Sequence, residues 1–383
     1  MPASVTVCGA GLRLSEVDDL ASLARRLRSA PAPAEVRRFA APDTVLAPVE
    51  REVYGPVEPR VPARAGTRGL RSLPHESLLA LGAAASTPGK QGPDDTTAVV
   101  WASSTAGLPE YATVCAEAST LEPGFVAPAL GPASAHNGPA ATVSIRLGLA
   151  GPNLTLTGGA TAGISAIAEA MRLIAAGDAR AALVGASATV TRWSLTAAQD
   201  HLTPAEGAAC LVLDPAGGSG IQLGECHRTD LVRATARVIQ AAARPQTRPD
   251  GLVVSTSDFG LVDALASGQP FPVWHVERAL GDLGAAGGFL AVVGAAALCA
   301  ATGPLAAPRP LPDAGLLAGP GLLPDAGLLA GPGLLPDAGL LAGAGLLAAP
   351  GERSEPNPIR PTKILALAVE PCGSTASLEV SSS

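Results

Sequence analysis

Residues 151–187, GPNLTLTGGATAGISAIAEAMRLIAAGDARAALVGAS, constrain the fold more than any other stretch of the chain. Leu154 to Leu156 predicts a short buried strand and Gly158-Gly159-Ala160 a sharp turn. Thr161 to Ala176 predicts a helix with Ile164, Ile167, Met171 and Ile174 along one face. Gly177 stops that helix, and Ala181 to Val184 forms the next strand. A strand that turns abruptly into a buried helix is a common way to present a nucleophile. The turn exposes the side chain, and the helix N-terminus lowers a thiol's pKa and stabilises developing negative charge. Here the turn residue is Ala160, which has no nucleophilic atom. Spacing alone fits an ordinary buried βαβ unit equally well.

The chain has 383 residues, enough for one large core or two fused halves. Aromatic residues make up only 3%, so packing must rest on Ala, Val, Leu and Ile. Of the 26 basic residues only Lys90 and Lys363 are lysine, and the Ala/Gly/Pro/Arg bias reads as GC-rich coding. A net charge of -7 with no basic run argues against nucleic-acid binding. Cys8, Cys115, Cys210, Cys226, Cys299 and Cys372 have no CxxC spacing, which predicts reduced thiols in a cytoplasmic protein and neither a disulfide frame nor a metal site. The N-terminus, MPASVTVCGAGL, lacks the basic-then-apolar pattern of a signal peptide. Leu283 to Pro308 is uncharged until its end and long enough to span a bilayer, but its Gly and Ala content and Pro304 favour a buried helix over a membrane span.

In chain order, Val5 to Leu12 predicts a strand ending in Gly9-Ala10-Gly11, a G-x-G without the rest of a dinucleotide fingerprint. Glu16 to Arg28 predicts a surface helix, and the Pro- and Arg-rich stretch from Ser29 to Gly69 predicts irregular structure. A helix is expected over His75–Ala85, a buried strand over Thr97–Ser103, and a further strand within Glu206–Pro215. In the second half, Ile221–Glu225 and Leu252–Ser255 predict strands flanking a helix at Leu231–Ala242, and Ile364–Val369 and Ser377–Val380 close the chain as strands. Residues 311–346 repeat LPDAGLLAGPGL with a period of twelve. So short a repeat with Pro and Gly in each copy suits a low-complexity insertion, although its Leu pairs could mark a partner surface.

Several of these segments resemble the β-ketoacyl synthases of the thiolase-like superfamily. TVSIRLGLAG at Thr142–Gly151 is similar to the family's V-S-I-R-x-G-L-x-G-P, the elbow at Gly158–Ala160 to its nucleophile turn, and EGAACLVLDP at Glu206–Pro215 to its E-G-A-A-x-L-V-L-E. The resemblance implies a thiolase-like five-layer α/β/α/β/α fold of two similar halves, residues 1–214 and 215–383, with the repeat as an insertion in the second. The second half looks shortened between Arg228 and Leu231.

The same resemblance identifies what is missing. A decarboxylating ketosynthase needs a thiolate to carry the acyl chain and two imidazoles to stabilise the enolate. Ala160 stands where the family has Cys, Ser255 or Thr256 where it has the first His, Asp282 where it has the second, and Glu277 where it has a motif Lys. The Gly-Phe gate near the C-terminus is replaced by EPCGSTAS, Glu370 to Ser377. None of His75, His136, His201, His227 and His275 falls in a family motif, so no catalytic residue, cofactor or metal ligand is assigned.

A catalytically emptied member of this superfamily is similar to the chain-length factor, the ketosynthase β subunit of a type II polyketide synthase. That implies a heterodimer with an active ketosynthase subunit, service of an acyl carrier protein, and an interface tunnel for which Tyr111, Val114, Cys115 and Phe125 are candidates. Many such factors carry Gln at the elbow, where this chain has Ala160. Two other readings stay open: a homodimeric acyltransferase or other enzyme using Cys115 or Ser165 as nucleophile, and a non-catalytic carrier-protein docking module using Arg surfaces.

Overall fold

The computed structural model describes residues 5–29, 36–41, 49–87, 96–120, 124, 126–197, 201–215, 220–230, 233, 235, 248–301 and 361–382. The strands are β1 (Val5–Leu14), β2 (Val36–Ala41), β3 (Val49–Tyr54), β4 (Thr97–Ser103), β5 (Asn153–Thr157), β6 (Ala181–Ala188), β7 (Gly207–Asp214), β8 (Ile221–Asp230), β9 (Gly251–Thr256), β10 (Val273–His275), β11 (Lys363–Val369) and β12 (Ser374–Ser382). The α-helices are α1 (Leu20–Arg28), α2 (His75–Ser86), α3 (Leu108–Thr120), α4 (Leu130–Ala133), α5 (Gly138–Leu147), α6 (Ala160–Ala176), α7 (Arg192–Ala197), α8 (Phe259–Gly268), α9 (Val276–Leu280) and α10 (Ala285–Ala300).

Among the described residues ten strands are linked in the order β10-β9-β11-β12-β8-β1-β7-β6-β4-β5. The order is the same on both sides of the central β1–β8 pair. Outward from β1 the strands run β7, β6, β4, β5, and outward from β8 they run β12, β11, β9, β10, the same permutation applied to consecutive strands. Orientation follows suit. β4 is parallel to β5 and β6 while β7 is antiparallel to β6 and β1; β9 is parallel to β10 and β11 while β12 is antiparallel to β11 and β8.

Helices α6 and α10 pack on each other and on strands of both halves: α6 on β4, β6, β11 and β12, and α10 on β9, β11, β12, β6 and β7. The outer face of the first half is covered by α2 and α5, that of the second by α8. Side-chain alternation records this layering. On β4, Ala98, Val100 and Ala102 join the core around α6 and α10, while Val99 and Trp101 join the core under α2 and α5. On β9, Val253 faces the shared core and Leu252 and Val254 the core under α8. Strands covered on both faces read as continuous apolar runs, which is why TAVVWAS and GLVVS carry no polar face. The layers are thus helix, sheet, paired helices, sheet, helix, in agreement with the expected thiolase-like α/β fold.

The close approach of α6 and α10 depends on glycine. A Cβ on Gly288 would lie 1.9 Å from the Ala160 carbonyl oxygen, and one on Gly163 2.4 Å from the Phe289 nitrogen. Gly11 plays a similar part on β1, where a Cβ would meet the Ala83 carbonyl oxygen at 2.1 Å. The N-terminal G-x-G therefore seats a strand against α2. The apolar stretch from Leu283 is the buried helix α10, and among the described residues no helix is long and apolar enough to cross a membrane.

Three local expectations need correction. The stretch Ser29–Gly69 is not irregular throughout: β2 and β3 form an antiparallel hairpin, Val36 pairing Tyr54 through Ala41 pairing Val49. Phe39, Val49 and Val53 on its inner side pack on Val190 and Leu195, and the alternating Arg and Glu residues on its outer side mask the period. The first helix starts at Leu20, not Glu16, because the Asp19 carboxylate accepts the Ser22 N–H at 2.7 Å and caps it there. β5 is not a buried strand. Among the described residues it pairs only with β4 and ends the sheet, with Asn153 and Thr157 exposed and the residues between half-buried. The expected helix at Leu231–Ala242 and the repeat at 311–346 lie outside the described residues.

Candidate functional site

The elbow is built much as the sequence predicts. β5 ends at Thr157, Gly159 is the N-cap of α6, and Ala160 is the first helical residue, one position earlier than expected. Gly177, in the left-handed region at φ 79°, ends the helix. Ile164, Ile167, Met171 and Ile174 are all buried.

A cavity of about 390 Å³ opens in front of this elbow. Its walls come from both halves: Ser104, Gly158, Gly159 and Ala160 from one, and Thr256, Glu277, Asp282 and Glu370 from the other. Ala160 and Asp282 thus face the same space, together with Thr256. Ser255 does not reach it: fully buried beneath, its hydroxyl donates to Glu277 Oε1 at 2.5 Å. Glu277 Oε2 accepts the Thr256 N–H at 3.0 Å and lies 3.0 Å from His275 Nε2, which also lies 2.7 Å from the Thr256 carbonyl oxygen. Glu277 is therefore a carboxylate that ties β9 to β10 and α9 through short bonds. His275, left unassigned from sequence, belongs to this buried cluster, and its second ring nitrogen has no hydrogen-bond partner among the described residues.

Asp282 accepts the Gly284 N–H at 2.9 Å. Burial pushes its carboxyl above the usual range. The Gly284 bond works against that shift, Glu277 adds to it, and Arg51 and His201 oppose it. His201 Nε2 lies 2.7 Å from the Ser257 carbonyl oxygen. Ser104 bridges the two halves at the cavity wall, its hydroxyl donating to the Gly158 carbonyl at 2.8 Å while accepting the Ala285 N–H at 2.8 Å.

The Ser103–Ala106 loop is anchored by a second buried carboxyl. The Ser103 and Ser187 hydroxyls donate to Glu76 Oε1 at 2.5 and 2.8 Å, Ser187 accepts the Trp101 indole N–H at 2.9 Å, and Ser103 accepts the Ala106 N–H at 2.9 Å. Burial pushes Glu76 up to about 7, with the three hydroxyl bonds from Ser103, Ser187 and Thr189 pulling the other way. A smaller cavity of about 200 Å³ borders Glu76, His75, Glu110 and Thr191.

Tyr111, Val114 and Cys115 are on α3, a helix with no buried residue, and line neither cavity. Tyr111 is 57% exposed. Phe125 lies outside the described residues. Of the alternative nucleophiles, Ser165 is buried with its hydroxyl donating to the Thr161 carbonyl at 2.8 Å, so it is committed to its own helix. Cys115 is exposed on α3. No disulfide joins any of the six cysteines; burial pushes Cys210 up to about 12 and Cys226 up to about 11.

Sequence reasoning missed one wall residue with direct access to the elbow. Glu370, at the β11–β12 turn, reaches across to the start of α6, where its Oε1 accepts the Thr161 N–H at 3.2 Å and the Thr161 hydroxyl. Its place in the altered gate segment was visible; that the side chain would cap a helix 209 residues away was not.

Residues 65–227 match the family model for the β-ketoacyl synthase N-terminal domain. No curated protein sequence matches the chain. Solved structures match along the whole chain. "The ishigamide ketosynthase/chain length factor" is 18% identical with a TM-score of 0.64, covering 99% of each chain. A type II PKS acyl-carrier protein in complex with its ketosynthase bound to the hexaketide is 13% identical with a TM-score of 0.63, covering 100% of each chain. A β-ketoacyl synthase from Burkholderia phymatum is 15% identical with a TM-score of 0.66, again covering 100% of each.

Proposed function

We propose that this chain, a member of the ketosynthase-like superfamily carrying a β-ketoacyl synthase N-terminal domain, is the non-catalytic chain-length factor of a type II polyketide synthase. In this reading it pairs with an active ketosynthase subunit, shapes the tunnel at their interface, and meets the acyl chain only while an acyl carrier protein delivers it to the partner. The observation that carries the reading is the cavity in front of α6: the enclosure is kept, while the positions facing it hold Ala160, Thr256 and Asp282 and no thiol or imidazole of the family pattern. A methyl group cannot carry an acyl chain, and an ionised carboxylate has no proton to donate to an enolate oxygen.

Two surface features support a partner. Among the described residues β5 leaves one side of the sheet unpaired, which is an invitation to further association. Beside it on α5, Ile145 is 77% exposed, the most exposed large apolar side chain among the described residues. Tyr111, Val114 and Cys115, on a helix with no buried residue, are further surface candidates for a partner.

The test is co-expression with ketosynthase subunits that carry the Cys-His-His set. Stable co-purification, together with a change in product length when cavity or interface residues of this chain are altered, is expected. An obligate interface of roughly 2,000 Å2 or more in total also implies poor solubility for the chain alone. A well-behaved monomer with no affinity for any ketosynthase subunit would end the proposal, and so would an acyl group tethered to this chain itself.

A further inference from the structure

We infer that Glu370 is the resident occupant of the anion site at the head of α6, and that it closes the cavity to negatively charged acyl groups. The inference goes beyond the subunit reading and holds whether or not the chain pairs with a ketosynthase.

The first N–H groups of a helix have no partner within it and attract negative charge. In α6, a helix of 17 residues, the N-cap is Gly159, which has no side chain to satisfy them. Glu370 does so from the opposite half: its Oε1 accepts both the Thr161 N–H at 3.2 Å and the Thr161 hydroxyl. The glycine leaves room for the contact, since a Cβ on Gly159 would lie 3.2 Å from the Glu370 carboxyl carbon. The turn holding Glu370 is itself fixed. Its N–H donates to the Ser374 carbonyl at 2.9 Å, and its carbonyl accepts the Gly373 N–H at 2.9 Å.

An ordinary helix cap would sit outside the cavity; this one forms part of its wall, next to Ala160. Glu277 and Asp282 line the same space, so the described wall presents carboxylates from three elements. A carboxylated acyl group, or the oxyanion of an attacked thioester, would need the N–H that Glu370 already holds and would face its charge at contact distance. Loss of the nucleophile and occupation of the anion site are separate changes. Restoring a thiol alone would therefore leave the pocket closed to anions.

A thiol introduced by A160C makes this measurable. Its thiolate attacks the CH₂ of iodoacetamide or iodoacetate, forming a C–S bond as iodide leaves; the two reagents differ chiefly in charge. Rates are read at each cysteine by peptide mapping on the full chain, alone or with a bound partner subunit. In A160C/E370Q the iodoacetate-to-iodoacetamide rate ratio at the introduced thiol should rise about fivefold over A160C, the factor for one unit charge removed at contact distance in a water-like medium. The ratio at Cys115, exposed on α3, should not change. A160C/E370D keeps the charge in the same turn and should stay within about twofold of A160C. An unchanged ratio in A160C/E370Q overturns the inference, as does an equal rise in A160C/E370D, which would assign the effect to a loosened turn. A second measurement needs no new thiol: acetate should raise the melting temperature of E370A more than that of the parent chain, and an equal response overturns the inference.

Discussion

The buried carboxyl of Glu76 makes the stability of the first half depend on pH in a direction that can be worked out beforehand. In the folded protein burial pushes it up to about 7 from an ordinary 4.5, against three hydroxyl donors. Between those values the unfolded chain has already lost the proton that the native state keeps. The unfolded state then binds fewer protons, and stability falls as pH rises. Above about 7 both states are ionised and the loss is complete. A tenfold difference in proton affinity between the folded and unfolded states is worth about 1.4 kcal/mol, so the full loss is ~3 kcal/mol. E76Q keeps a neutral acceptor for Ser103 and Ser187 and should remove this slope. Asp282 is shifted the same way by burial, but it is present in both proteins and cancels in the comparison. Glu206 is shifted down, burial notwithstanding, by bonds from His75, Val57 and Val190; its contribution is lost only as pH falls below about 4.5. The assay is amide hydrogen exchange of peptides from α2 and β4, read by mass spectrometry in this chain's own peptides even when a partner is bound. Between pH 5 and pH 8 the protection of E76Q relative to wild type should increase by roughly a hundredfold. A protection ratio that stays constant over that range would refute the argument.

Other consequences are simpler to state. G288A should cost about 3 kcal/mol, the upper end for an overpacked core, because its Cβ would fall 1.9 Å from the Ala160 carbonyl oxygen; thermal melting should show a drop of several degrees. G131A, with nothing within 4 Å, should melt like wild type. S255A removes the 2.5 Å donor to Glu277 from a fully buried cluster, at a cost of ~1–3 kcal/mol in denaturant unfolding. I145E should leave the melting temperature unchanged, since the side chain is 77% exposed, and should weaken co-purification with a ketosynthase subunit. Iodoacetamide at pH 8 should label Cys115 and Cys372 and spare Cys210, whose thiol burial pushes up to about 12.

Much of the fold was legible because both sheets are covered on both faces. Runs such as TAVVWAS and GLVVS announce buried parallel strands, and the one-face pattern of Ile164, Ile167, Met171 and Ile174 announces a packed helix. The β2–β3 hairpin was not legible, since its apolar positions alternate with Arg and Glu that face solvent and Pro-rich flanks hide its ends. The edge position of β5 was not legible either. An apolar strand looks the same in one chain segment whether or not a neighbour pairs with its far side.

The candidate site divides along the same line. The sequence by itself determined the chemical inventory: an alanine at the elbow, carboxylates and hydroxyls among the wall residues, and glycines where helices must touch. Local order of residues decides which groups exist. Only the tertiary structure decided what those groups meet. Ser255 turned out to lie beneath the cavity and not in its wall, Glu277 to bind Ser255, Thr256 and His275, and Glu370 to cap a helix in the other half. Except for the His275–Glu277 pair, those contacts join residues 21 to 209 positions apart. Their geometry is set by how two similar halves pack across one pair of helices, which no local pattern records.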